Sequence, residues 1–324
     1  MMTEGPSLTV LVTGGAGFIG SNLIRELLAR GEHVVSFDDL STGSAINLEG
    51  TVGRLDLVAG DVRDASALRH AARGARVVFH LAALGSVERS IGDPFTSHAV
   101  NVDGTLNALV AAREEGAERF VYASSSAVYG NTPSLPKDES MAVALVSPYA
   151  ASKLGGESYC RAFFHSYGLG TVCLRFFNVF GPRQDPNSRF AAAIPSFITA
   201  ISAGRAPEIY GDGHQRRDFT YVDNAVRALI QASSAAEPAL GEVMNVASGG
   251  CISLLELLGE LNKLMGTSVR PVFRPRRRGD VDHSQAAINK ARRLIGYSCP
   301  VSFSDGLAMT VDWFSSQNKT SMAS

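Results

Sequence analysis

The segment that most restricts the fold is Thr13-Gly14-Gly15-Ala16-Gly17-Phe18-Ile19-Gly20. It follows a short apolar run, residues 8–12, of the length and character of a buried parallel strand. It precedes residues 21–30, in which Leu23, Ile24, Leu27 and Leu28 recur at helical spacing. Strand, glycine turn and helix in that order suit a pyrophosphate, because glycine lets backbone approach it and the helix N-terminus turns free N–H groups toward it. Gly15, Gly17 and Gly20 satisfy G-x-G-x-x-G, while Gly14, Gly17 and Gly20 satisfy the looser G-x-x-G-x-x-G. Tight turns also use glycine for steric reasons alone, so the context decides. A second apolar run, residues 33–37, ends at Asp38, 18 residues past Gly20 and near the offset of a carboxylate that holds the adenosine ribose hydroxyls. Such a carboxylate repels a 2′-phosphate, so NAD is expected rather than NADP. The alternative for Asp38 is a plain strand-end or turn aspartate.

The alternation continues. Residues 55–59 read as a strand ending at Gly60-Asp61-Val62, with Asp61 placed to face the adenine, and residues 65–72 read as a helix. Residues 77–81 are again a strand, and Ala82-Ala83 after it are small enough for close contact with a cofactor or for ordinary packing. Residues 94–115 read as one long helix before the strand 119–123. This β-α-β-α order predicts an α/β fold with a doubly wound parallel sheet of the Rossmann type, its ligands at the carboxyl ends of the strands. At 324 residues the chain also has room for a second, smaller lobe. The dinucleotide domain is assigned to residues 1–178 plus 219–249, with a strand at 242–247. A discontinuous substrate lobe takes 179–218 plus 250–320, and the mostly polar stretch 317–324 is expected to fray.

Composition excludes more than it identifies. Thirty basic against 31 acidic side chains give a net charge of -1, which provides no field for a polyanion, so no nucleic-acid partner is expected. There is no run of 18 apolar residues, and residues 1–7 lack the basic and apolar regions of a signal peptide, so a cytoplasmic chain without membrane contact is expected. Cys160, Cys173, Cys251 and Cys299 are widely spaced without a C-x-x-C, which predicts reduced thiols and no metal site.

The reactive groups stand further along. Ser124-Ser125-Ser126 lies at the carboxyl end of the strand 119–123, ahead of Val128-Tyr129-Gly130. Ser147-Pro148 supplies a helix cap followed by proline at the first helical position, so a helix begins there and runs to about 165. Within it Tyr149 and Lys153 stand i, i+4 on one face. A tyrosine that serves as a base near neutral pH needs its pKa lowered by about 3 units, or about 4 kcal/mol. A lysine ammonium one turn away and a positive nicotinamide ring have the right sign to supply this.

With these pieces together the sequence resembles the extended short-chain dehydrogenase/reductase family over almost its whole length. The matching segments are 13–20, Asp38-Asp39-Leu40-Ser41, Gly60-Asp61-Val62, His80-Leu81-Ala82-Ala83, Asn101-Val102-Asp103-Gly104-Thr105, the serine cluster with Tyr129-Gly130, and Tyr149-Ala150-Ala151-Ser152-Lys153. Arg175-Phe176-Phe177-Asn178-Val179-Phe180-Gly181-Pro182, Tyr210-Gly211-Asp212-Gly213, Arg217-Asp218-Phe219 and Gly279-Asp280-Val281 resemble its nucleotide-sugar branch. The resemblance implies Tyr149 as acid/base, Lys153 on the nicotinamide ribose, and Ser125 on the reacting sugar hydroxyl. It implies cofactor contacts at Gly14, Gly17, Phe18, Ile19, Asp38, Asp39, Ser41, Asp61, Val62, Leu81, Ala82, Ala83, Asn101, Ser124 and Phe176, besides Tyr149 and Lys153. It implies substrate contacts at Ser86, Ser125, Ser126, Asn178, Tyr210 on the uracil, Arg217 on the diphosphate, Asp280 on the ribose, and Ser284. An arginine of the run 276–278 joins the diphosphate, with Arg277 favoured by its spacing to Gly279-Asp280 and Arg276 and Arg278 left as alternatives.

Dehydratases and decarboxylases of this branch carry a carboxylate ahead of the Tyr-Gly pair, where this chain has Ser126-Ala127-Val128. The resemblance therefore implies a 4-epimerase of UDP-hexoses that passes through a 4-keto sugar. UDP-glucuronate epimerase is the alternative, and a dehydratase, a decarboxylase or a non-catalytic NAD sensor stands behind it. Ser284 occupies a position that is a bulky tyrosine in epimerases excluding N-acetyl groups, and the segments 84–94 and 183–187 resemble UDP-N-acetylglucosamine epimerases, so N-acetylated sugars are expected to fit. Glu88 and Asp282 depart from that group. Relatives dimerise through a four-helix bundle, for which residues 96–115 and 148–165 are the counterparts.

Overall fold

The computed structural model describes residues 8–186, 192–276, 281 and 283–323. β1 (Thr9–Thr13), β2 (His33–Asp38), β3 (Leu55–Ala59), β4 (Val77–His80), β5 (Arg119–Ser125), β6 (Gly170–Phe176) and the strand Glu242–Val246 form one sheet. From one edge its order is Glu242–Val246, β6, β5, β4, β1, β2, β3, with every pairing parallel. The order reverses between β1 and β4, which opens a crevice at their carboxyl ends.

Burial on both faces explains the continuous apolar runs of the central strands. In β1, Leu11 joins a core on one face, and Val10 and Val12 join the core on the other, as the two-residue period requires. The helices that cover the sheet begin with α1 (Phe18–Ala29), which buries Leu23, Ile24, Leu27 and Leu28, the four apolar positions of the sequence pattern. They continue with α2 (Ala65–Ala71), α3 (Val87–Gly92), α4 (Pro94–His98), α5 (Gly104–Glu114) and α6 (Pro148–Tyr167). In α6, Ser147 Oγ accepts from the Ala150 N–H at 3.2 Å, Pro148 follows, and Gly168 at φ +72° ends the helix.

The apolar pattern that reads as one helix over 94–115 is helical throughout 94–114, with a widened turn inside it. α4 gives way to a wider turn, Ala99–Asp103, before α5 begins. Gly104, at the join, lies so close to Val62 that a Cβ would stand 2.5 Å from Val62 Cγ2. The widened turn aims Asn101 inward, at the loop after β4.

Small sheets extend the molecule beyond the carboxyl edge. Arg216–Arg217 pairs with Ile252–Ser253 on one side and with His283–Ser284 on the other, which sets Arg217 opposite Ser284. Among the described residues no helix is long and apolar enough to cross a membrane. All four cysteines are free thiols, Cys160 and Cys173 buried and Cys251 and Cys299 half-buried.

Candidate active site

A cavity of about 880 Å³ opens at the carboxyl ends of the central strands. Its floor is the glycine turn. Gly14 has φ +70°, and a Cβ there would stand 2.7 Å from the Ala82 nitrogen; a Cβ on Gly20 would stand 2.1 Å from the Gly14 oxygen. No side chain caps the N-terminus of α1 at Gly17, so its first N–H groups remain available at the cavity. Asp38 closes the turn from the side, accepting from the Ala16 N–H at 2.9 Å and the Leu40 N–H at 2.8 Å. Burial pushes its carboxyl up, and these backbone donors oppose that. A glycine cradle, an open helix end and a carboxylate at the tip of β2 fit the diphosphate and ribose of NAD.

Most residues named from the sequence meet on this wall. Gly14, Gly17, Phe18, Ile19, Asp38, Asp39, Ser41, Val62, Leu81, Ala82, Ala83, Ser124 and Phe176 line it, as do Tyr149, Lys153 and Ser125. So do Ser86, Ser126, Asn178, Arg217 and Ser284. Three named residues do not. The Asp61 carboxylate turns to Arg63, whose Nε lies 3.0 and 2.9 Å from its two oxygens, and that guanidinium holds it below the usual carboxylate range. Asn101 is buried behind the wall, where its Oδ1 accepts from the Leu84 N–H at 2.8 Å and its Nδ2 donates to Ser152 Oγ at 3.0 Å. These bonds tie it to the loop that carries 81–84. The Tyr210 hydroxyl reaches Glu208 Oε2 at 3.2 Å, off the cavity. Arg277 and Asp280, with Arg278, lie outside the described residues.

Ser125 and Tyr149 line the same stretch of wall, and the Tyr149 N–H donates to Ser90 Oγ at 3.0 Å, which anchors the start of α6 on α3. Burial raises the Tyr149 hydroxyl above its ordinary value, and the Ser125 side chain opposes this. The Lys153 ammonium donates to the Ala123 oxygen at 2.8 Å and lies 5.0 Å from the centre of the Tyr122 ring. Burial pushes Lys153 down to about 8, with Glu157 the main opposing influence.

Three buried groups behind the wall have no role in the sequence reading. His80, in β4, contacts Thr13 Oγ1 through Nδ1 at 2.7 Å and Thr105 Oγ1 through Nε2 at 3.0 Å. Thr105 spends its own proton on the Asn101 oxygen, so the hydrogen-bond network assigns the ring proton to Nε2. Burial takes this imidazole down to about 3, which leaves it a neutral tie between β1, β4 and the Asn101 turn. Glu157 pairs with Arg175, and its only sequence signal is its place four residues past Lys153. Asp218, beside Arg217, accepts from Ser248 N, Ser248 Oγ, Gly249 N and Ala286 N at 2.6–3.2 Å, so one carboxylate joins the segments that carry Arg217 and Ser284. Burial pushes it up to about 6.

Residues 10–247 match the NAD dependent epimerase/dehydratase family. UDP-glucose 4-epimerase of Mycolicibacterium smegmatis is 39% identical over 316 residues, covering 96% of this chain and 100% of that one. UDP-N-acetyl-alpha-D-glucosaminuronate decarboxylase of Bacillus cytotoxicus is 32% identical over 315 residues, 94% of this chain and 97% of that one. Among solved structures, UDP-N-acetylglucosamine 4-epimerase from Methanobrevibacter ruminantium M1 in complex with UDP-N-acetylmuramic acid superposes with a TM-score of 0.91 at 39% identity, covering 96% of this chain and 99% of that one.

Proposed function

Because the chain belongs to the NAD dependent epimerase/dehydratase family, we propose that it inverts C4 of UDP-hexoses, interconverting UDP-glucose with UDP-galactose and also their N-acetylated counterparts. The observation that carries this reading is the make-up of the wall around Tyr149. Ser124, Ser125, Ser126 and Ala127 line it there, and its carboxylates among the described residues are Asp38, Asp39 and Asp185. Dehydration and decarboxylation need an acid or base beyond the tyrosine, at the position where this chain has serine and alanine. Apart from an acceptor that takes the C4 hydride and returns it to the other face of the turned ketone, epimerisation at C4 needs only a group that takes the hydroxyl proton and gives it back.

Tyr149 is that group, and Ser125, on the same wall, orients the reacting hydroxyl. Bound NAD supplies the acceptor and donor of the C4 hydrogen and, in its positive nicotinamide ring, the charge that lowers Tyr149. Arg217 meets the diphosphate, for which a guanidinium fork is suited. Ser284 is buried on the same wall and accepts from Asn178 Nδ2 at 3.0 Å; its short side chain leaves room for an acetamido group. A homodimer built on α5 and α6 belongs to the same proposal, and light scattering on the eluting protein tests it.

Incubation with UDP-glucose, UDP-N-acetylglucosamine and UDP-glucuronate, with products resolved by chromatography, tests the reading. The expected products are the C4 epimers of the first two, with no accumulation of NADH. Turnover of the glucuronate alone would make the chain a UDP-glucuronate 4-epimerase, and loss of water or carbon dioxide would place it in another branch.

A further inference from the structure

Tyr149, Lys153 and Glu157 succeed one another at i, i+4 and i+8 on α6, so one stripe of the helix carries all three toward the sheet. The first two reach the cavity wall, and the third lies buried behind it. Its carboxylate is fully engaged. Ser124 Oγ donates to Oε1 at 2.5 Å, Arg175 Nε donates to the same oxygen at 2.8 Å, and Arg175 Nη2 donates to Oε2 at 2.7 Å. The guanidinium lies 4.7 Å from the centre of the Tyr129 ring, and the Tyr129 hydroxyl donates to Asn245 Oδ1 at 2.8 Å.

A buried ion pair of this kind is a poor source of stability, because apolar residues of the same volume often serve as well. The location of Glu157 suggests another use. Ser124, on the cavity wall, takes its orientation from Oε1. Among the described residues the printed contacts of the Lys153 ammonium are uncharged, the Ala123 oxygen and the Tyr122 ring, and the carboxylate that opposes the cost of burying its charge is Glu157, one helical turn further along α6.

We propose that Glu157, fixed by Arg175, is a positioning residue for the reaction: it keeps the Lys153 ammonium charged and holds Ser124 against the cofactor side of the cavity. This rests on the reading of Tyr149 and Lys153 as the working pair. The groups that face Lys153 are Tyr149, Glu157 and Cys160 on α6, Tyr122 from β5, and the neutral His80 from β4. Arg175 and Cys173 from β6 face Glu157. Burial takes Lys153 down to about 8, and Glu157 and then Cys160 push it back up.

The test follows the alkaline limb of activity. If loss of the Lys153 proton ends activity at high pH, Glu157→Gln moves that limb of kcat on UDP-glucose to lower pH, by about one unit for a carboxylate one helical turn away. A purely structural role lowers activity at every pH and leaves the limb in place. Because Glu157→Gln strands the Arg175 charge, the double variant Glu157→Gln/Arg175→Met is measured beside it. It is expected to recover thermal stability while keeping the displaced limb. An unmoved limb in both variants overturns the proposal. The NAD dissociation constant over the same pH range gives a readout without turnover. A wild-type protein inactive on every UDP-sugar would sink the epimerase reading alone, while the limb in NAD affinity would still decide the role of Glu157.

Discussion

Gly20→Ala sets two effects of opposite sign against each other. Gly20 is in the first turn of α1, where alanine is a better helix former by about 1 kcal/mol. Propensity alone therefore predicts a more stable protein. The surroundings predict the reverse: the new Cβ would stand 2.1 Å from the Gly14 oxygen, 2.8 Å from Gly15 Cα and 2.9 Å from the Gly14 carbonyl carbon. These are backbone atoms, not the ends of side chains that could swing away. The Gly14 oxygen also accepts from the Gly17 N–H at 3.2 Å, so moving it opens the turn itself. Overpacking of this kind costs about 1–3 kcal/mol, and more when backbone must shift, so the steric term wins. The expected result is a drop in stability of about 1–2 kcal/mol by urea denaturation, with loss of NAD on gel filtration. Gly259→Ala is the control. It lies inside the helix Leu254–Met265 with nothing within 4 Å of its added Cβ, so only the propensity gain applies and the protein gains about 1 kcal/mol. If both variants shift stability in the same direction, or Gly20→Ala retains its NAD, the close approach of α1 to the turn does not constrain this position.

Tyr149→Phe should reduce epimerisation by at least about two orders of magnitude while NAD stays bound, since the tie from its N–H to Ser90 is untouched; retained turnover would refute Tyr149 as the acid/base. Ser284→Tyr fills the wall opposite Asn178 and should lower kcat/KM for UDP-N-acetylglucosamine more than for UDP-glucose, and equal losses would show that Ser284 is not the gate. Asp218 gives a pH dependence. Its carboxyl stands at about 6 in the fold against 3.8 ordinarily, so the folded protein holds the proton more tightly than the unfolded chain. The stability this group contributes is greatest below pH 4 and falls as pH rises to 6, by about 3 kcal/mol in all. Urea denaturation between pH 4 and 7 should therefore show the advantage of wild type over Asp218→Asn shrinking as pH rises; a growing advantage would mean that the four donors hold the carboxyl below its ordinary value.

The cofactor turn and the placement of Tyr149 and Lys153 on one helix face at the cavity are legible because each is complete within one short window. The strand, turn and helix over 8–30 need no distant residue to state their purpose, and Ser147-Pro148 announces α6 within a residue of its start. The returning strand was legible from its apolar run, expected over 242–247 and found at Glu242–Val246. Asp61 and Asn101 were harder, because the direction of a polar side chain depends on which donors stand nearby. Arg63 captures the first from two residues away, and the widened turn before α5 aims the second at Leu84.

The electrostatics of the site were not legible, and α6 shows why. Helical spacing fixes where side chains leave the backbone, but Lys153 has a four-carbon stem, and its charge sits where the sheet offers an acceptor. That acceptor is the oxygen of Ala123, thirty residues earlier in the chain. The anion that opposes its burial is oriented by Arg175 in β6 and by Ser124 in β5, which meet only because those two strands are neighbours. Tyr129 and Asn245 extend the same connection to the strand Glu242–Val246. The sheet that a run of apolar residues predicts is thus also the circuit that sets the charge state beside Tyr149. If Glu157 positions the pair as proposed, a change at Glu157 or Arg175, outside every glycine and tyrosine motif, reaches the charge beside Tyr149.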